Sequence, residues 1–203
     1  MVCVDGVAHA PHRFSDVKAW DVDFYAFSFY KVFGPHMGCL YGKRERLVEA
    51  RGQYHQFFDE DAIPAKLNPA GPQHEMIASL AGIADYFDAL AAHHLEDPPN
   101  DFTARVRAVF DLVAAHEERL AAPFIEFATA HDKVRLLGRQ TATAAARAPT
   151  FSFTVDGMRS KDIETRLHAE RLAVRQGHFY AKRLIAAVGI EDVDDGVVRA
   201  SMA

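Results

Sequence analysis

The sequence predicts an α/β protein with a separate small α+β domain, and two patterns carry that expectation. Up to about residue 97, short β-favouring runs are interleaved with helical stretches, whereas beyond residue 120 shorter strands and helices alternate. The scale is also right, because 203 residues with 49% hydrophobic content can bury a sizeable core.

Val2-Cys3-Val4 is a short apolar run closed by Asp5-Gly6, and Val22 to Phe27 is a second, aromatic-rich run. Between them, Ser15 to Trp20 opens on capping-type residues and fits a short helix or turn. Met37 to Gly42 reads as a third strand, followed by a charged helix over about 43–51. An irregular stretch rich in Pro, Gly and Asn then runs to Pro72 and reads as a functional or contact loop. From His74 to about His93, residues such as Met76, Leu80, Ile83, Phe87 and Leu90 recur at helical spacing, predicting one long amphipathic helix.

Pro98-Pro99 breaks that pattern and divides the chain into 1–97 and 98–203. A second long helix is expected over about 102–120. Strands near 134–137, 150–155, 173–175 and 197–201 then alternate with helices near 160–170 and 181–188, and Thr141 to Ala146 reads as a linker or helix end. Strand-like runs at both extremes of the sequence lead to the expectation of a piece of a larger fold.

A formal charge of −5, with 28 acidic residues spread among 23 basic ones and no basic block, argues against nucleic-acid or membrane-surface partners and for a small-molecule ligand. No run of apolar residues is long enough to span a bilayer. The two cysteines, Cys3 and Cys39, lack disulfide-scaffold or zinc-site spacing, so a reducing compartment, the cytoplasm, is expected. Both cysteines read as buried structural thiols. Eleven histidines include no HExxH pattern, and no metal is expected. Dinucleotide and P-loop glycine patterns are also absent.

Lys31 is the most informative residue, lying among aromatic and apolar neighbours directly after a strand, in Phe27-Ser28-Phe29-Tyr30-Lys31-Val32-Phe33-Gly34-Pro35-His36. Local sequence leaves two readings open: a desolvated amine able to form a Schiff base, or a surface lysine whose stem lies over the aromatics. Asp5 favours the first if its strand neighbours that of Lys31. Pyridoxal phosphate (PLP) needs an amine for its aldehyde and a carboxylate to keep its pyridine nitrogen protonated.

Val2 to Gly6, Pro11-His12, Asp21 to Ser28, Lys31, Gly34-Pro35 and Leu40-Tyr41-Gly42 together resemble the class-V aminotransferase signature, in the order and spacing of the SUF-type cysteine desulfurases. Ala173 to His178 and Val198 to Ser201 are similar to that family's substrate-side segments. The resemblance implies the carboxy-terminal half of a PLP-dependent transferase: the second part of a large domain, with a mostly parallel sheet and helices, then an incomplete small domain. It implies Lys31 as the Schiff-base lysine, Asp5 as the pyridinium partner and Ser28 as a phosphate ligand. It further implies Arg199 gripping the carboxylate of an amino-acid substrate, with Arg175 on the same side. Gly71-Pro72-Gln73 falls where the family has a loop reaching the partner subunit, which implies a homodimer.

Three departures qualify what is carried over. The family's glutamine after the aspartate is Ala8, with His9 next to it as a substitute cofactor contact. The histidine preceding the lysine is Tyr30, whose hydroxyl can make an equivalent phosphate hydrogen bond. Tyr180 stands at the persulfide-forming cysteine, so conventional desulfurase chemistry is not expected; elimination, transamination and epimerisation stay open. The family's phosphate loop and ring-stacking histidine lie upstream of the matched segments. The rival expectation is therefore a non-catalytic fragment or dimerisation module that keeps the fold.

Overall fold

The computed structural model describes residues 1–52, 56–68 and 71–202. The chain divides into two compact units, Met1–Asp111 and Leu112–Ala203.

The first unit is built on a three-stranded sheet in the order β1-β2-β3. Strand β1 (Cys3–Asp5) runs parallel to β2 (Phe24–Ser28), with Asp5 in register with Ala26. Residues 6–23 make the crossover as turns, including the stretch from Ser15 to Trp20. After β2 a single 3-10 turn (Phe29–Lys31) leads into β3 (Gly38–Gly42), which returns antiparallel and pairs Gly38 with Ser28. The sheet is thus mixed. Helix α1 (Arg44–Glu49) follows.

The helix expected as one piece from His74 is two, α2 (His74–Ser79) and α3 (Ala81–His94). The break falls at Leu80, where Ser79 turns its hydroxyl back onto the Met76 carbonyl and competes with the ladder. Helix α4 (Phe102–Ala130) is capped by the Asp101 carboxylate, which accepts from the Ala104 N–H at 2.8 Å. It outruns the expected end at Leu120 and includes Pro123, because Ala121, Ile125 and Ala128 continue the buried stripe. The hydrophobic cluster of the first unit comes from helices and loops: Ala10, Val32, Phe87, Ala91, Val109 and Phe110.

In the second unit an antiparallel sheet runs β4-β5-β7-β6, from β4 (Val134–Leu137), β5 (Thr150–Val155), β6 (Arg175–Gly177) and β7 (Val197–Ser201). Strand β6 lies two residues beyond the expected 173–175. The chain needs Leu172 to Val174 to leave α5 (Ser160–Ala169), and His168 Nε2 bonds the Val174 carbonyl at 2.8 Å. Helix α5 is capped by Asp195, whose carboxylate accepts from the Ser160 and Lys161 amides at 2.7 and 3.2 Å. Helix α6 (Lys182–Ala187) is short. Thr141 to Ala146 contains a turn, held where the Ala144 N–H donates to Glu118 at 2.7 Å. Leu136, Phe151, Phe153 and Val198 from the strands, Ala121 and Ile125 from α4, and Ile163 from α5 close a single core.

Candidate functional site

In the first unit, Asp5 and Lys31 stand at the same edge of the sheet. Asp5 is the last residue of β1, and Lys31 ends the turn that continues the carboxyl end of the parallel strand β2. Carboxyl ends of parallel strands are where open α/β sheets place ligands, because the chain turns away there and leaves side chains facing a crevice. Both residues are exposed. The Asp5 carboxylate accepts the Val7 N–H at 3.0 Å, closing an Asx turn. Lys31 Nζ lies 6.0 Å from the Tyr30 ring centroid. Among the described residues, neither charge is engaged in an ion pair.

Of the two readings left open for Lys31, this chain shows the surface lysine. Its neighbours Tyr30 and Phe33 are themselves 49% and 57% exposed, so no apolar wall closes over the amine. Ser28 ends β2 beside Gly38, and Tyr30 packs its ring against His36 at 4.9 Å between centroids.

Gly6 follows Asp5 because the ring of buried Tyr25 lies against it; a Cβ there would overlap the ring. The Tyr25 hydroxyl shares a 2.7 Å hydrogen bond with Ser15, whose Oγ lies 3.5 Å from His9 Nδ1. Burial pushes the Tyr25 phenol above its ordinary pKa. Burial, with Arg13 and His12 nearby, pulls His9 below the usual imidazole value and favours its neutral ring. His9 therefore belongs to a cluster with Ser15, Tyr25 and Trp20, whose ring meets it edge-on at 5.4 Å.

In the second unit, Arg175 on β6 and Arg199 on β7 are direct cross-strand partners. The Arg199 guanidinium stacks on Phe179 at 3.9 Å, and burial pulls its pKa downward from the ordinary value. Phe179 and Tyr180 both adopt left-handed backbone, with φ of 48° and 62°, and Tyr180 is fully exposed. Its N–H donates to His178 Nδ1 at 3.1 Å, so the side chain projects from a locally braced tip. The same unit holds a cavity of about 500 Å³ lined by Arg175 and Arg199 together with Arg171 and His168, two residues absent from the sequence-based site. An arginine directly after the α5 pattern, where a helix usually ends on glycine, was the available signal.

Of the two cysteines, Cys3 is exposed rather than buried, whereas Cys39 is half-buried and burial raises its thiol pKa. Gly71, Pro72 and Gln73 are exposed, and the neighbouring Pro69 and Ala70 lie outside the described residues. Among the described residues no helix is long and apolar enough to cross a membrane.

The class-V aminotransferase family matches residues 1–97 and 103–203. The chain belongs to that family. Its similarity to an aminotransferase-like protein of Gibberella zeae is 35% identity over 204 residues, all of this chain and 46% of the relative. The cysteine desulfurase-like protein ustD of Aspergillus flavus is 32% identical over 208 residues, covering 99% of this chain and 43% of that one. Among solved structures, the cysteine desulfurase CsdA of Escherichia coli superposes with a TM-score of 0.67 at 27% identity, over the whole of this chain and 47% of that protein. This class-V aminotransferase chain thus spans about half the length of the relatives it matches. Members of the family are PLP-dependent, and the donor set at the sheet edge fits that cofactor: a carboxylate, a primary amine and hydroxyls, each suited to a different part of it.

Proposed function

We propose that the chain is part of a PLP-dependent enzyme acting on an amino-acid substrate, with residues 1–97 as the second half of the cofactor-binding large domain and 98–203 as the small domain. One observation carries the reading: Asp5 ends β1 and Lys31 ends the turn that directly follows the parallel strand β2, with neither charge engaged in an ion pair among the described residues.

When bound, the cofactor supplies an electron sink for bonds at the substrate Cα. Lys31 would hold the cofactor through its amine and would serve as the base that moves the proton at the substrate Cα. Asp5 would supply the carboxylate that keeps the pyridine nitrogen protonated. Ser28 and Tyr30 would offer hydroxyls to the phosphate, and His9, its neutral ring favoured by burial, would add a further cofactor contact. Arg199, with Arg175 beside it, receives the substrate carboxylate, a role suited to a planar guanidinium fork. A phenol at Tyr180 cannot serve as a sulfur-accepting thiolate, so the chemistry differs from persulfide formation. The intact enzyme is assigned as a cytoplasmic homodimer without nucleic-acid or metal partners.

The test is borohydride reduction of the chain incubated with PLP, followed by peptide mapping. The expected result is one stoichiometric pyridoxyl adduct at Lys31, absent in Lys31→Ala. Adducts scattered over surface lysines, or none, would replace this reading with that of a non-catalytic module.

A further inference from the structure

The cavity in the second unit carries more positive charge than one carboxylate requires. Arg171, Arg175, Arg199 and His168 line it, and none of its lining residues is acidic. Among the described residues, no carboxylate pairs with any of the three arginines; Glu164, the acidic neighbour of His168, lies 4.0 Å from that ring one turn back along α5. Like charges directly opposed across two strands are destabilising unless an anion lies between them, and that is the placement of Arg175 and Arg199.

Arg171 adds a second, independent sign. It sits just past α5 with φ of 62°, a left-handed conformation that glycine adopts most freely. Its N–H is bonded to the His168 carbonyl at 3.0 Å, which fixes the turn. The turn thus sets an exposed guanidinium among the residues that line the cavity. A volume of about 500 Å³ also leaves room for more than one anionic group.

We propose that this cavity recognises a small dianion of the dicarboxylic amino-acid class, with Arg175 and Arg199 on one carboxylate and Arg171 on the other. This deepens the proposed function and rests on its assignment of Arg199 to the substrate carboxylate. A single guanidinium already binds a carboxylate through two parallel hydrogen bonds, so three arginines lining one cavity offer more donors than one carboxylate can accept.

The test is calorimetric titration of the full chain, without cofactor and at low salt, with L-aspartate, L-glutamate, their amides L-asparagine and L-glutamine, and inorganic phosphate. At least one acidic amino acid should bind about tenfold or more tightly than its amide. Arg171→Gly, which introduces a residue that adopts the same φ and so keeps the helix end folded, should erase that preference by weakening acid binding toward that of the amide. Arg171→Asn provides a second variant tolerant of the same φ. Equal binding of acid and amide, or a preference that survives both variants, overturns the dianion inference while leaving Arg199 as the carboxylate anchor. Phosphate binding as tightly as the acidic amino acid, with the same dependence on Arg171, overturns it in favour of a general anion site. Absence of binding by every amino acid also overturns it, and the Lys31 adduct is then the separate measure of whether the cofactor reading stands.

Discussion

The two units hold their candidate residues in different ways. In the second, the strands themselves carry the core: Phe151 and Val198 are fully buried, and Arg199 follows Val198 directly on β7. In the first, the buried members of the hydrophobic cluster come from helices, a turn and the crossover, with Phe27 of β2 packed against them, while ladder bonds and buried polar groups add to the hold on the strands bearing Asp5 and Ser28. Tyr25 and Asp23 are those groups. Asp23 accepts from the Val2 N–H at 2.6 Å and from Arg46 Nε at 2.8 Å, tying β1 and α1 to the start of β2. Arg199 thus rests mainly on packing, and Asp5 and Ser28 more on directional bonds, and the two arrangements should fail under different insults.

The largest expected effect is Phe151→Ala. Removing a fully buried ring from a closed core costs about 3–5 kcal/mol, read as a lower denaturant midpoint for the second unit. Second is Gly6→Ala, which drives a Cβ into the Tyr25 ring; overpacking of this kind costs about 1–3 kcal/mol. It should also lower the yield of the Lys31 adduct, because Asp5 moves with the displaced turn. An unchanged melting curve for Gly6→Ala would remove the case that polar and steric fit at Tyr25 holds β1.

The smallest effect is confined to acid. The hydrogen bond from Arg46, then that from the Val2 amide, hold the Asp23 carboxyl down at about 2. A depressed carboxylate contributes stability that is fully present above its unfolded pKa of about 3.9 and is lost as pH falls through the folded value. The first unit should therefore lose stability between about pH 4 and pH 2, and Asp23→Asn should flatten that limb. The second unit, read by amide exchange at its β5–β7 ladder, should keep its acid profile in the same variant.

Much of this was legible in the sequence because periodicity and local chemistry report it directly. The strand positions around Asp5, Ser28, Arg175 and Arg199 emerged within two residues. Three features escaped, each decided by side-chain placement that the apolar pattern does not report. The break at Leu80 depends on a serine hydroxyl turning back on its own helix, and the apolar pattern runs through it undisturbed. The exposure of Lys31 depends on what covers the turn, and its aromatic neighbours gave the impression of a closed pocket. Lys66 is the lysine that is buried, 2% exposed, its ammonium donating to the Val48 and Glu60 carbonyls at 3.1 and 2.6 Å. Nothing in its local sequence marks it, because its acceptors are main-chain oxygens.

Helix α4 gives the division of the chain an unusual character. The boundary at Asp111–Leu112 falls inside an unbroken helix about 44 Å long rather than in a loop. A protease seeking a hinge there meets amides and carbonyls already bonded to one another. A gene cut at the same point would leave each product with a raw helix end, about four donors or acceptors without partners. The two halves of this chain are therefore better dissected by point substitution than by scission.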